Sequence, residues 1–424
     1  MTENDAAPDH ADQVPSRTDS DNGEGVPSPD GNLTLSRRLA VLLELLAGPY
    51  RIATVGFTLL VIWVFFYFRD QNDVFLSARN LSNLTLQITV TGLLALGLVF
   101  VLLLGEIDLS VAALSGVAAA VTVALIQQNS WPTALAILAG LAFGALFQTA
   151  QSLIVVFGAP SFIVTLGGSL ILTGLLLRIL PPIGQFNLSG TTLGKLASTY
   201  ISTPWAVSLV AALLVIFAAM RLSTWRRQRH RGLDPSLLSF IQPVAAATAA
   251  SIAALMVFAS YRGVPLPFAF FMAVLLVSSY SLTQTKFGTA VYAVGGNREA
   301  ARRAGIKVTR IVIIGFAIAG VLTAAGGIIA ASRVLGVSNQ SGSGTLLLQS
   351  IAAAVIGGVS LKGGRGSVWA ALLGALVIGS ISNGMDLLDY STSAKNIVQG
   401  SLLIAAVAVD VTITRGSLRP SRGS

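Results

Sequence analysis

Residues 85–104 read TLQITVTGLLALGLVFVLLL, a run of 20 residues without a charged side chain. About 20 consecutive apolar residues form a helix long enough to cross the roughly 30 Å hydrocarbon core of a bilayer. Inside lipid, a helix satisfies every backbone N–H and C=O group within its own segment. The run therefore predicts a transmembrane helix, and it sets the expected fold class for the chain around it.

Similar apolar runs fill the chain on both sides of this one. Twelve of them are candidates for membrane spans, at 52–68, 85–104, 111–127, 133–157, 162–180, 205–222, 237–260, 264–283, 311–331, 346–360, 367–386 and 396–413. The runs at 111–127 and 346–360 are near the lower length limit, which makes them candidates for broken or re-entrant helices. The pattern predicts an all-α polytopic membrane protein with about twelve transmembrane helices.

Composition supports this fold class and limits the chemistry. Hydrophobic residues make up 54% of the chain and charged residues only 11%, against about 25% charged in a soluble domain. The chain has no cysteine, and its two histidines, His10 and His230, lie in polar segments. We therefore expect no disulfide, no metal site and no catalytic residue.

The acidic residues are concentrated at the start of the chain. Residues 1–32 contain eight acidic residues and a single basic one, Arg17, among many Asp, Pro, Gly and Ser residues. Such a segment cannot bury enough apolar surface to fold. We expect 1–32 to be a disordered acidic tail, 33–413 to be the transmembrane domain and 414–424 to be a C-terminal tail.

The basic residues predict an orientation. With a cytoplasmic N-terminus and twelve crossings, 19 of the 27 Lys and Arg residues fall in cytoplasmic segments, seven fall outside and Arg17 lies in the tail. Cytoplasmic loops of membrane proteins carry such an excess. Both termini and the loops 223–236 and 284–310 are therefore predicted to be cytoplasmic. The basic charge fits membrane orientation better than nucleic-acid binding.

The first of three polar or glycine-rich segments is Gly105-Glu106-Ile107-Asp108-Leu109-Ser110. A carboxylate costs about 2.5–3.5 kcal/mol at the centre of a bilayer, so we expect both acids in polar surroundings. The side-chain oxygens of Asp108 and Ser110 can accept free backbone N–H groups of a following helix. We expect them to cap that helix at a break, and direct contact with a translocated solute is the alternative.

The second segment, 284–310, reads QTKFGTAVYAVGGNREAARRAGIKVTR. A glycine turn, a helix-forming core and a terminating glycine predict a short helix on the cytoplasmic face. Such a helix is suited to docking into the groove of a partner, and a solvated loop is the alternative. The residues expected to form and dock it are Gly295, Gly296, Asn297, Glu299, Ala300, Ala301 and Gly305.

The third segment, 356–367, contains five glycines in a dozen residues. Glycines at this density break a helix and allow a close or re-entrant backbone. Lys362 and Arg365 could bind phosphate, but charges that fix the cytoplasmic side are the favoured interpretation. The five glycines are Gly357, Gly358, Gly363, Gly364 and Gly366.

The segment GTTLGKL at 190–196 superficially resembles a phosphate-binding loop. It has three residues between its glycines instead of four, and Leu follows the Lys. It is therefore not a Walker A motif. If ATP is used, we expect another chain to hydrolyse it.

At the three segments the chain resembles the permeases of bacterial carbohydrate ABC importers, in the branch that handles ribose, xylose and related monosaccharides. GEIDLSV at 105–111 is similar to the signature that follows the second span of that family, and 286–306 is similar to its cytoplasmic coupling segment. Residues 352–385 resemble its C-terminal glycine-rich signature. The similarity is collinear from about residue 75 to 413.

The chain departs from that family in two places. Glu106 stands where many members have a second glycine, and Ala112 stands where they have a glycine after the valine. The Glu variant and the greater length look more like the xylose permease subgroup. The additional length falls near 205–260, which implies a ten-helix core plus one extra pair of spans.

The resemblance implies the partners. Two copies of the permease would form one pathway in the bacterial inner membrane, two cytoplasmic ATPase domains carrying ATP and Mg would bind beneath it, and an extracytoplasmic sugar-binding protein would dock outside. The chain itself would carry no cofactor and perform no covalent chemistry.

Two other functions fit a polytopic chain. An ion-coupled secondary carrier usually places ionisable groups in mid-membrane, whereas the acids here sit at the ends of the predicted spans: Glu106, Asp108, Asp386, Asp389 and Asp410. A structural or assembly factor is the second alternative. Adjacent genes for an ATPase and a binding protein would discriminate against both.

Overall fold

The computed structural model describes residues 51–230, 232 and 236–416. The predicted tail 1–32 and most of the predicted C-terminal tail, 417–424, lie outside these residues. The helices in chain order are α1 (Arg51–Arg69), α2 (Ala78–Leu103), α3 (Val111–Gln127), α4 (Thr133–Val156), α5 (Ser161–Ile179), α6 (Thr192–Lys195), α7 (Thr203–His230), α8 (Leu238–Ala259), α9 (Leu266–Gln284), α10 (Lys286–Gly296), α11 (Arg298–Arg303), α12 (Val308–Val334), α13 (Gly344–Ile356), α14 (Trp369–Leu387) and α15 (Thr392–Gly416).

Each of the twelve predicted apolar runs coincides with one of these helices. Eight of the described helices are long and apolar enough to cross a membrane, namely α2, α4, α5, α7, α8, α9, α12 and α14. Three further apolar helices are shorter: Val55–Arg69 within α1, α3 and α13. A polytopic helical membrane protein is therefore confirmed, whereas the count of twelve spans and the orientation stay predictions.

Helices α2 and α12 form the centre of the bundle. Leu93 to Leu103 of α2 are buried without interruption, and α12 packs against α2, α3 and α4. Gly144 of α4 and Gly320 of α12 face each other so closely that a Cβ on either would collide with the carbonyl oxygen of the other. Small residues allow this approach where lipid supplies no hydrophobic driving force.

Helices α7 and α8 lie at the periphery. They pack mainly against each other, and in the part that the structure describes Ala206 and Phe258 are their only buried residues. Strand β2 (Tyr200–Ile201) precedes the pair and forms an antiparallel ladder with β3 (Val264–Pro265), which follows it. The two helices are therefore an excursion that leaves and rejoins the bundle at one point, in agreement with the extra pair expected near 205–260.

The Gly, Ser, Thr and Asn content of the connection 181–203 predicts a polar surface loop, and most of its residues are exposed or half-buried, but a few buried side chains anchor it. Strand β1 (Gln185–Asn187) pairs with β4 (Gly336–Ser338), and Phe186, Leu188 and Leu193 are buried. Its few apolar side chains pack onto the end of α12, where the hydroxyl of Ser332 donates to the carbonyl oxygen of Leu193 at 2.7 Å. The connection therefore folds over one end of the bundle.

Candidate functional site

The three segments singled out in the sequence meet at the other end of the bundle. The backbone N–H of Gly364 donates to the carbonyl oxygen of Leu103 at 2.9 Å. A Cβ on Gly363 would lie 2.6 Å from the Cα of Gly105 and 2.8 Å from the carbonyl oxygen of Gly295. We call Leu103, Gly105, Gly295, Gly363 and Gly364 the glycine junction. It joins three stretches of backbone that are far apart in the chain.

Gly295 and Gly296 do not form the turn expected of them. Both lie inside α10, and the chain changes direction at Asn297. A Cβ on Gly295 would collide with the carbonyl oxygen of Leu103, whereas a Cβ on Gly296 would meet no described atom within 4 Å. Gly295 is therefore required by the close contact between α10 and the end of α2, and positive φ plays no part.

The predicted short helix exists as α11. The side-chain oxygen of Asn297 accepts from the backbone N–H of Ala300 at 2.9 Å, which satisfies a free donor of the first turn. Gly305, at φ 82°, follows the helix in the left-handed region that favours glycine. The start and end of the helix agree with the sequence.

The two alanines of α11 face in different directions. Ala300 is exposed, as is Glu299, which pairs with Arg303 at 3.3 Å. Ala301 is 4% exposed and belongs to the main hydrophobic core. The expectation that both alanines form the docking surface is therefore wrong for Ala301, because its side chain holds α11 on the bundle. The other residues of α11, Glu299 and Ala300 among them, are exposed.

An ion pair connects α11 to the first polar segment. The carboxylate of Glu106 is buried and binds the guanidinium of Arg298, the first residue of α11. Arg298 remains about half exposed. A buried charge needs a partner, and here the partner comes from α11. Arg298 therefore neutralises the buried charge of Glu106, the residue that stands where many members of the resembled family have a glycine.

The glycine-rich segment 356–367 forms a tight turn at the end of α13. The backbone N–H of Ser360 donates to the carbonyl oxygen of Arg365 at 3.0 Å, and the hydroxyl of Tyr292 in α10 donates to the carbonyl oxygen of Gly366 at 3.0 Å. The glycines with positive φ in this segment are Gly358, Gly363, Gly364 and Gly366. The close backbone expected here is present. Gly357 instead allows a close contact with α14, because a Cβ at this position would collide with the carbonyl oxygen of Ala370.

Asp108 lies at the centre of a buried polar network. Its carboxylate accepts from the backbone N–H of Ser110 at 2.8 Å, from the Ser110 hydroxyl at 2.7 Å and from the side-chain amide of Gln148 in α4. Ser110 is the N-cap of α3 but makes no side-chain capping bond to any described residue. The expected capping of α3 is therefore wrong for Ser110, whose hydroxyl binds the network instead. Asp108 does accept a free backbone N–H group, that of Ser110, immediately before α3.

Sequence reasoning missed the partners of this network. The amide of Gln151 donates to the Ser110 hydroxyl at 3.2 Å, and the backbone N–H of Leu109 donates to the Thr165 hydroxyl of α5 at 3.0 Å. Gln148 and Gln151 are three residues apart and share a helix face. Two glutamines in one apolar run could have predicted a buried polar contact, since polar groups within spans usually face the bundle interior.

A cavity of about 310 Å³ lies next to this network. It is bordered by Leu109 and the first turn of α3, by one face of α5, and by 339–343 with the first turn of α13. Two of the three shorter apolar helices, α3 and α13, thus begin at the cavity. The polar side chains on its wall are Ser169, Thr173, Asn339, Gln340, Ser341 and Ser343.

Residues 80–407 match the family described as the permease component of the branched-chain amino acid transport system. The chain belongs to this family. It is also 36% identical over 367 residues to the xylose transport system permease protein of Escherichia coli K12, across 84% of this chain and 91% of that protein. The corresponding protein of Haemophilus influenzae is 36% identical over 356 residues, across 82% and 92%. The ribose import permease protein of Bacillus subtilis is 30% identical over 365 residues, across 86% and 92%.

Family membership confirms the resemblance to permeases. The chain is a membrane transport component and not an enzyme. No solved structure matches the fold. The roles of the junction, of α11 and of the cavity therefore rest on the geometry of this chain.

Proposed function

We propose that this chain is the transmembrane permease subunit of an ATP-driven importer for a monosaccharide, with D-xylose as the foremost candidate. The names of its relatives support this substrate class, since the sugars in those names are xylose, ribose, allose and arabinose. The family description instead names branched-chain amino acids. These amino acids are therefore the competing substrate class for any transport assay.

The observation that carries the proposal is the connection between α11 and the bundle interior. The exposed face of Glu299 and Ala300 is available to a partner, and Arg298 of the same short helix binds the buried Glu106. Glu106 is two residues from Asp108, whose network holds the segment before α3. A partner that shifts α11 can therefore move the segment that borders the cavity.

The proposed partners follow from this arrangement. A separate ATPase chain, carrying ATP and Mg, binds α11 on the cytoplasmic side, and an extracytoplasmic sugar-binding protein docks at the opposite end. A second copy of the permease completes the pathway in the inner membrane, with both termini cytoplasmic. The chain itself holds no cofactor and binds no nucleic acid. ATP binding and release then bias the bundle between inward-open and outward-open states.

The direct test is a coupled ATPase assay on the assembled complex in proteoliposomes. We expect the permease to copurify with its ATPase, and xylose-loaded binding protein to stimulate ATP hydrolysis. An empty binding protein and a leucine-loaded one serve as controls. A permease that binds no ATPase, and that moves xylose down an imposed ion gradient on its own, would identify a secondary carrier.

A further inference from the structure

We infer that the cavity between α3, α5 and residues 339–343 is a binding site for a neutral, polyhydroxylated solute on its way through the permease. The inference rests on the proposed function and adds the place where the sugar is held within the chain. Four features of the described residues support it: the depth of the cavity, the rigidity of its wall, the chemistry of its side chains and two amides without a hydrogen-bond partner.

The cavity lies deep in the bundle. The side chain of Gln127, at the end of α3, donates to the carbonyl oxygen of Asn187 in β1 at 2.6 Å. Ala112, on the cavity wall, is about 22 Å from Gln127 along α3 at 1.5 Å per residue. Residues 339–343 reach this level without helical structure. Non-helical backbone at membrane depth is tolerated only where it is buried in protein or lines a water-filled cavity.

The non-helical wall is held firmly against α3. Gly342 has φ 73°, and a Cβ on it would collide with the carbonyl oxygen of Ala112. A Cβ on Gly116 would in turn collide with the carbonyl oxygen of Ser341. Two glycines thus allow backbone-to-backbone contact from both sides. The wall is preformed, which lowers the ordering cost of binding a ligand.

The chemistry of the wall suits a sugar. Among the described residues that line the cavity none is charged, whereas hydroxyl and amide side chains come from α5 and from 339–343. Hydroxyls and amides both donate and accept, as the hydroxyls of a sugar require. A zwitterionic amino acid would find no side chain of opposite charge, and a charge removed from water without a partner is costly. The volume is at the lower end of the range of about 300–1,000 Å³ for small-molecule sites.

Two of these polar side chains have unused hydrogen-bonding capacity. Within the described part of the chain, the side-chain amides of Asn339 and Gln340 make no hydrogen bond, although the backbone N–H of Gln340 donates to the Ser338 hydroxyl at 3.3 Å. Both residues are exposed at the cavity. Their amides are free to bind the hydroxyls of a solute.

The chain has no native cysteine, so single cysteines can be labelled selectively. Ser169→Cys and Thr173→Cys place a thiol on the cavity wall, and Leu170→Cys is the matched control on the same helix, because Leu170 is 71% exposed on the outer surface of the bundle. Each variant is reconstituted with the ATPase and the binding protein and treated with a charged, water-soluble thiosulfonate. We expect both wall cysteines to be modified, and modification of Thr173→Cys to abolish D-xylose uptake.

Protection by substrate gives the second readout. D-Xylose at ten times its dissociation constant should slow modification of the wall cysteines about tenfold, since the unliganded fraction is 1/(1 + [L]/Kd). L-Leucine at the same concentration should give no protection. Slow modification of both wall cysteines, or modification without loss of uptake, overturns the inference even where the unlabelled complex transports xylose. An unmodified complex that transports no sugar refutes the proposed function instead.

Discussion

At the scale of single residues, the structure separates neighbours that look alike in the sequence. Gly295 faces the carbonyl oxygen of Leu103, whereas Gly296 faces open space. Ala301 lies in the core, whereas Ala300 lies on the surface. A pattern of small residues reveals that some close contact exists, but only the fold determines which member of each pair makes it.

The glycine junction predicts different outcomes for two adjacent substitutions. Gly295→Ala forces a methyl group into the backbone of Leu103 and should lower the free energy of unfolding by about 1–3 kcal/mol, as overpacking does. Gly296→Ala, the matched control, should leave stability unchanged. Thermal melting of the two purified variants in detergent measures the difference. Equal melting temperatures would show that the junction is looser than described.

The ion pair predicts an asymmetry. Arg298→Gln leaves the buried carboxylate of Glu106 without its partner, and an unpaired buried charge is strongly destabilising. Glu106→Gln leaves an arginine that is about half exposed and still reaches water. We therefore expect Arg298→Gln to lower thermal stability and xylose-stimulated ATP hydrolysis more than Glu106→Gln does. The double variant should recover part of the loss, and additive single effects would argue against a direct pair.

At the scale of the elements, α11 is the helix through which the ATPase is expected to act. Ala300→Trp adds bulk to the exposed face and should abolish binding of the ATPase while the permease remains folded. Ala301→Trp overpacks the core and should reduce the amount of folded permease instead. Pull-down of the ATPase, normalised to the amount of permease in the membrane, separates the two effects. An Ala300→Trp permease that still binds and stimulates the ATPase would exclude α11 as the coupling helix.

The helix pair α7–α8 is predicted to be dispensable for the fold. Ile201 of β2 stands opposite Val264 of β3, so an Asn-Gly turn can join the two strands after residues 202–263 are removed. Removal of two spans leaves the orientation of α11 unchanged. We expect the shortened chain to insert, to bind the ATPase and to lose only modest stability, as fluorescence-detected size exclusion would show. An aggregated product would mean that the pair supports the core.

The sequence predicted the elements better than their contacts. Each of the twelve predicted apolar runs coincides with a helix, because the length and composition of a run largely decide whether it can form a membrane-spanning helix. The cap at Asn297 and the end at Gly305 were also predictable from local chemistry. The meeting of Gly105, Gly295 and Gly363 was not, since each was interpreted as a local break and nothing in its own segment specifies a distant partner.

At the scale of the whole molecule, one continuous set of contacts runs from the predicted cytoplasmic face to the interior. It begins at the exposed side of α11, passes through Arg298 and Glu106, and reaches the network of Asp108 and Gln148. The cavity follows next to Leu109. A permease driven by a separate ATPase requires such a connection between the surface that binds the ATPase and the path of the solute.

ATP-dependent uptake of radiolabelled D-xylose tests the central claim most directly. Proteoliposomes containing the permease and its ATPase, with xylose-loaded binding protein outside and ATP inside, should accumulate xylose, and Ala300→Trp should abolish accumulation. A proton or sodium gradient without ATP should drive no uptake. Accumulation that needs an ion gradient and continues without ATP, or in the Ala300→Trp variant, would contradict the account.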